Sequence, residues 1–352
     1  MSVAASSSIG AHSERSALKI SEPSMLSLAS NGVKATDVQH LLRDRVAMLT
    51  GGRDRQGRPL ITFPSRETAE KTSIDEIHMV VRYLFAIPSD DVFKERRFVV
   101  LIDMRRGMTW NAAKPILKTL QDHFADAVHS VLIVKPDRFW DKHKANFASA
   151  KYKFEVQVIS LEALHRTIDC SQLTPDFGGS RLYDHDEWLE LRVAVEDIVW
   201  RAMDVLRGFD SMRNEMENSQ LPVDVDSAKR TLEDHTNLRK RLLGAPVEHL
   251  ENDGQALVNR LAEQFPTSAA SAQSDAVSQA SSVTSSIPLS PDLAICAPHI
   301  TQLLDRMRST RHDLFNVWQQ RKQRLDQCFQ LKLFEQDADK QNEMWNTIEA
   351  FQ

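Results

Sequence analysis

The chain has 352 residues, 26% charged and 41% hydrophobic, with a formal net charge of −5. That balance argues against bulk affinity for nucleic acid, and no apolar run approaches the roughly 20 residues a transmembrane segment needs. Cys170, Cys296 and Cys328 are far apart, with no CxxC and no Cys/His ligand spacing, which excludes a disulfide framework or zinc site as a working premise and fits a reducing, cytoplasmic setting.

Residues 1–35 are Ser/Ala-rich and lack a signal-peptide apolar region, so they read as a disordered leader. One short helix, "DVQHLLRDRVAML", follows. "GGRDRQGRP" (51–59) has neither GxxxxGK[ST] nor GxGxxG and precedes a strand, where a phosphate loop should follow one. It reads as a turn or hairpin into "PLITF" (59–63). Further strands are expected at "FVVLI" (98–102), "VLIV" (131–134) and "FEVQVI" (154–159).

Helix signals separate these strands. Ser73-Ile-Asp-Glu76 is a capping box opening a helix toward Phe85, and Pro88 stops it. Thr109 caps "WNAAKPILKTLQDHF", with Pro115 awkwardly inside. Asp137 caps "RFWDKHKANFASA" and Ser160 caps "LEALHRTI". Alternating strands and helices imply crossovers and a mainly parallel sheet covered on both faces.

From about Asp186 the period changes. Trp188, Leu191, Val195, Ile198, Ala202, Val205 and Phe209 form a heptad stripe on a helix of roughly 30 residues. Pro222 breaks it, and Gly244 and Pro246 interrupt a second helical region, Val223 to Phe265. Residues 266–291 are a Ser/Ala-dominated flexible loop. Ile300, Leu304, Met307, Leu314, Trp318 and Leu325 stripe a third helix, with Arg311 and Arg321 interrupting. The expectation is an antiparallel three-helix bundle with charged outer faces. The third helix meets no Gly or Pro stop. Residues 335–352, with Phe334 and Trp345 nearby, read as the start of a second, truncated unit.

"MLTGGRDRQGRPLITFP", "YLFAIPS", "VVLIDMR", "KPDRFWDK", "NFASAKYKFEV", "VISLEALHRTID" and "SQLTPDFGGSRLYDHDEWLELRVAVED" together resemble the N-terminal region of the Trio/kalirin family of Rho guanine-nucleotide exchange factors. "RLDQCFQLKLFEQDADK" resembles that family's first spectrin-repeat junction. The resemblance runs from about Val46 to Lys340 and implies an α/β Sec14-like (CRAL-TRIO) domain at 36–183 and an all-α spectrin-type three-helix repeat at 184–334. Exchange domains lie downstream in that family, so this chain is expected not to be an enzyme and to carry no cofactor. The nearest families outside it are Sec14–spectrin proteins without exchange activity. The chain departs from Sec14 lipid-transfer proteins in offering only residues 36 to 50 where those carry a helical lobe, which puts lipid extraction in doubt.

Candidate sites are few. Asp103, a carboxylate at a strand end, has the position of a general base. No nucleophile, His or second carboxylate is tied to it, and Arg105 and Arg106 offer charge partners, so it reads as a turn anchor. Gly178 and Gly179 in "LTPDFGGS" are structural turn residues. The strongest binding candidate is Lys135, Arg138, Lys142, Lys144, Lys151 and Lys153, interleaved with Phe139, Trp140 and Phe147, as a site for an acidic phospholipid headgroup. A solvated charged face with the aromatics in the core is the competing reading. His165 and Cys170 are close, but a thiol–imidazole pair needs an orienting third group. Ser290-Pro291 is a weak phosphorylation match. The reading is a targeting and scaffolding region with protein partners on the repeat, no metal, no nucleic acid and no transmembrane segment. The parent exchange factor would act in cytoskeletal control, membrane-proximal signalling and axon guidance. The alternatives are a Sec14-type carrier of a hydrophobic ligand and, least favoured, an α/β enzyme using Asp103.

Overall fold

The computed structural model describes residues 32–88, 96–135, 152–263 and 290–350. Helix α1 (Gln39–Arg43) leads into β1 (Leu60–Phe63). Helix α2 (Ile74–Ala86), β2 (Phe98–Asp103), α3 (Trp110–His123), β3 (Val128–Val134), β4 (Glu155–Ile159) and α4 (Leu161–Thr167) follow. The strands form one parallel sheet in the order β1-β2-β3-β4, with Leu60 beside Val99, Val100 beside Val131 and Ser130 beside Glu155.

Every residue of β1 and β2 is buried, as unbroken apolar runs require of strands covered on both sides. Ile61, Val100, Ile102, Val131 and Ile133 face the layer that holds α2 and α3. Leu60, Val99, Leu101, Leu132 and Val134 face α4 and the segment through Phe177. Successive strands laid down in one direction with right-handed crossovers put α2 and α3 on the same face. The caps follow the sequence. Ser73 and Glu76 form a reciprocal capping box. Thr109 and Ser160 accept from Asn111 and Ala163 amides. The Asp137 cap, and the whole helix expected after it, lie outside the described residues. So do residues 1–31 and the Ser-rich loop up to residue 289.

The leader's expected boundary moves. Ala35 is fully buried and its amide donates to Glu196 Oε2 at 2.6 Å, while the Lys34 ammonium lies 4.6 Å from the Trp200 ring centre. These residues are held because α5 (His185–Asn218) offers both a carboxyl and an aromatic face.

Helix α5 continues into a bundle with α6 (Val225–Leu243), α7 (Val247–Glu263), a short α8 (Pro291–Ala294) and α9 (Cys296–Glu349). Gly244 and Pro246 split the middle helix into α6 and α7, and both pack on α9. Of the first stripe, all but Val205 are fully buried, and the whole third stripe is buried. Trp318 Nε1 donates to His235 O at 2.8 Å and the two rings stack at 4.9 Å, tying α6 to α9. Arg321, an interruption in sequence, donates to Met216 O and Ser219 O at the end of α5. Beyond Leu325, Leu331, Phe334, Met344, Trp345 and Ile348 of α9 are exposed, while Phe329 and Leu333 are half-buried.

Candidate functional site

The C-terminal end of the sheet carries Asp103, and its geometry is that of an anchor. The residue is 4% exposed. Oδ1 accepts from the Arg105 amide at 3.0 Å and from Arg105 Nε at 2.8 Å, and Oδ2 accepts from Nη2 at 2.9 Å. Both oxygens are thus committed to one planar fork. The same guanidinium donates to Asp176 O and lies 5.1 Å from the Phe177 ring centre. Asp103 therefore clamps the "TPDFGG" turn over the strand end rather than facing a substrate. Asp103→Asn keeps the shape and removes the charge, and is expected to lower stability by about 1–3 kcal/mol in a urea titration while leaving vesicle binding unchanged.

Gly178 adopts φ +69°, the left-handed conformation that glycine tolerates. Gly179 sits where a Cβ would lie 2.0 Å from Leu173 O. His165 Nε2 bonds Phe177 O at 2.7 Å, so the imidazole supports the turn, while Cys170 is an exposed thiol. Ser290 is buried at the start of α8, which does not favour its modification.

The basic segment is divided by the fold. Lys135 is 5% exposed, directly after β3, and its amide donates to Ile159 O at the C-terminal end of the sheet. Lys153 is exposed before β4, at the N-terminal end, where its amide donates to Gln121 Oε1. The seven residues of β3 at about 3.3 Å each separate the two levels by roughly 23 Å. Lys135 and Lys153 thus do not form one headgroup site, and burial removes Lys135 from any exposed patch. Arg138, Lys142, Lys144 and Lys151, with Phe139, Trp140 and Phe147, lie outside the described residues.

Lys153 instead shares its end of the sheet with arginines that the sequence reading passed over. Arg58 precedes β1, Arg97 precedes β2 and Lys153 precedes β4, and the charges of Arg58 and Arg97 both reach His129 of β3. Asp54 organises the preceding loop. Its Oδ1 accepts from the Gln56 and Arg58 amides and its Oδ2 from Arg58 Nη1 at 3.1 Å. Arg55 is left exposed at the tip. Burial, together with the Arg58 charge, lowers the pKa of His129 in the same row. A pattern search along the chain misses this set because Arg58 and Arg96 are 38 positions apart.

A third cluster lies where α5 crosses from the sheet unit to the bundle. Arg192 is 1% exposed. Its Nε donates to Glu196 Oε1 at 3.0 Å and to Tyr83 Oη at 3.2 Å, and the Tyr83 hydroxyl donates to Glu196 Oε1 at 2.7 Å. Asp292 of α8 faces Arg192 Nη1 at 3.9 Å and accepts from Trp188 Nε1 at 3.1 Å. Burial alone would lower the Arg192 pKa, but Tyr83 and Glu196 outweigh it and hold the guanidinium charged. Burial pushes the neighbouring Cys296 thiol up to about 12, so it is an inert thiol. The sequence signal was present: opposite charges four apart, beside an apolar stripe.

Among the described residues no three His, Cys, Asp or Glu side chains gather to hold a metal ion, and no helix is long and apolar enough to cross a membrane. Comparison with known proteins agrees with the architecture. A family profile for the divergent CRAL/TRIO domain matches residues 57–186. The chain is 40% identical over 166 residues to the SEC14 domain and spectrin repeat-containing protein 1 of Xenopus tropicalis, covering 46% of the chain and 23% of that protein. It is 30% identical over 311 residues to the human guanine nucleotide exchange factor DBS, covering 86% of the chain and 26% of that protein. The matched region thus spans about a quarter of each relative's length, and the relatives are of both kinds that the sequence led us to expect. Residues 57–186 belong to the divergent CRAL/TRIO family.

Proposed function

We propose that this chain is a non-catalytic docking and spacing region related to the N-terminal part of Rho-family exchange factors. The CRAL/TRIO domain engages an acidic phospholipid or a protein partner at a membrane surface. The spectrin-type unit, residues 184–334, holds downstream segments at a set distance and offers its faces to protein partners. Residues 335–352 begin a second unit of the same kind, which covers the exposed apolar side chains of α9. In the parent protein this serves cytoskeletal control and axon guidance from the cytoplasmic side of the plasma membrane. The observation that carries the reading is α5 itself: one 34-residue helix belongs to both units, locked by the Arg192 cluster. A spacer needs such a fixed joint. Adding this chain to Rac loaded with fluorescent GDP is expected to leave nucleotide release unaccelerated, and acceleration would overturn the non-catalytic reading.

The competing reading is a carrier of a hydrophobic ligand. A depression lined by Val46, Phe63, Ile77, Met108, Ala112 and Ile116 has room for about 10 Å³, one water molecule. That depression, among the described residues, is too small for an acyl chain. Native mass spectrometry of the purified chain decides it: a bare mass agrees with docking, and a stoichiometric lipid adduct with the carrier.

A further inference from the structure

We infer that the groove under the short helix α8 is a docking site for an acidic segment of a protein partner, a proline followed by a carboxylate and a leucine, and that α8 fills it as a tethered surrogate. The inference rests on the docking reading and gives it a protein-binding face.

Three observations carry it. The first is a shaped seat. Its floor is Gly51, in the loop before β1, at φ +72°. A Cβ there would lie 2.4 Å from Pro291 Cδ and 2.8 Å from Arg181 Nη2, so only glycine leaves room for the proline ring. Arg181 is held to the same loop, donating from Nε to Thr50 O at 2.8 Å. The wall is α5, from which Trp188 Nε1 donates to Asp292 Oδ2 at 3.1 Å and Arg192 Nη1 faces that oxygen at 3.9 Å. Leu293 is fully buried in the apolar core. Proline, acid and leucine thus each meet a separate feature: a glycine floor, a guanidinium with an indole N–H, and an apolar layer.

The second is an incomplete fit. A charge-assisted N–H···O bond spans about 2.7–2.9 Å, so the Arg192–Asp292 pair falls short of one. Arg192 Nη2 is buried without a partner. Glu196 cannot turn to it, because its oxygens are taken by the Ala35 amide, the Tyr83 hydroxyl and Arg192 Nε. The other oxygen of Asp292 accepts from Ser290 Oγ. A buried guanidinium nitrogen without an acceptor is costly, and a better placed carboxylate would remove that cost. Glutamate, one methylene longer than aspartate, has that reach.

The third is a surrogate that can leave. Helix α8 has four residues, too few to persist without its contacts. Its Leu293 and Ala294 amides both donate to the one carbonyl of Ser290. Ile295, which joins it to α9, is exposed, whereas α9 is anchored independently by Ile300, Leu304 and Met307, all buried. Losing α8 from its seat therefore does not require α9 to move. A peptide is favoured over a free anion because two of the three features of the seat, the glycine floor and the apolar layer, recognise shape and apolar surface rather than charge.

The test uses the full chain and a fluorescein-labelled peptide of residues 287–295, IPLSPDLAI, read by anisotropy. In the parent the seat is filled, so binding is weak. The variant Asp292→Asn/Leu293→Ala loosens the surrogate and is expected to bind the peptide at least about tenfold tighter. Within the peptide, Asp292→Glu should tighten binding about threefold and Asp292→Asn weaken it about tenfold. Unchanged far-ultraviolet circular dichroism shows the variant folded. A folded variant that does not bind, or that binds the Asp and Asn peptides equally, overturns the assignment. Hydrogen exchange on the parent tests the surrogate without any variant: the Leu293 and Ala294 amides should exchange at least about tenfold faster than that of Leu304, and equal protection overturns a displaceable α8. A parent dimer in analytical ultracentrifugation that the peptide dissociates assigns the groove to a second copy and overturns the partner assignment. Each of these failures leaves the docking reading standing, because nucleotide release and native mass spectrometry test it separately.

Discussion

Glu196→Ala is expected to lower the unfolding free energy by about 3–5 kcal/mol, the penalty for leaving a buried charge without its partner. Three groups depend on that carboxyl: the Ala35 amide, the Tyr83 hydroxyl and Arg192 Nε. Arg192 is encased, so water cannot replace the lost acceptor, and its Nη2 already has no hydrogen-bond partner in the cluster. The loss should reach both units at once, because Tyr83 belongs to the sheet unit and Arg192 to the helix running into the bundle. Converting the pair together, Arg192→Met with Glu196→Leu, removes both charges and is expected to recover most of the loss. Urea titration followed by tryptophan fluorescence measures both. A loss under about 1 kcal/mol for the single variant would show that the cluster is not a closed, dry node.

The second large effect is at the turn that closes the sheet unit. Gly179→Ala places a methyl group 2.0 Å from Leu173 O and 2.5 Å from Cys170 O. Neither carbonyl can withdraw cheaply, since they accept from the Arg181 amide at 2.9 Å and the Ser180 amide at 3.0 Å. Relieving the overlap breaks these bonds and lifts Leu173 and Phe177 from the apolar layer under β1 to β3. The expected cost is about 3 kcal/mol or more. Gly208→Ala provides the contrast. That glycine lies within α5 with nothing within 4 Å of its missing Cβ, so alanine there should stabilise by about 0.5–1 kcal/mol. Thermal denaturation of the two variants side by side checks the sign of each. Equal small effects would mean that the 170–181 turn is loosely held.

Much of this architecture is legible along the chain because local signals and tertiary demands coincide. "FVVLI" is apolar without alternation because both faces of β2 are covered, and Ser73, Thr109 and Ser160 cap where their spacing says they should. The heptad stripes hold for the same reason. The sites are less legible, since chemistry there depends on register. Lys135 and Lys153 look like one basic segment, yet β3 and β4 carry them to opposite ends of the sheet. Arg58 and Arg97 look unrelated, yet the charges of both reach His129 at the N-terminal end of the sheet. Arg192 and Glu196 look like an ordinary exposed i,i+4 pair, and only the packing of Ala35, Tyr83 and Asp292 around them shows otherwise. Asp103 was the exception, because its Arg105 partner is two residues away, although the reach of that guanidinium to Asp176 O is long-range.

Helix α9 has one more consequence. It is rooted beside Asp292, against the Arg192 cluster, and runs for 54 residues, about 80 Å at 1.5 Å per residue. A rod of that length is a mechanical lever. Its first half packs on α5, α6 and α7, so the stretch from Leu325 to Glu349, about 36 Å, is the free arm, and a tilt of about 10° moves its end by about 6 Å. Whatever rides on its tip therefore has its reach and bearing set by the packing of the buried half.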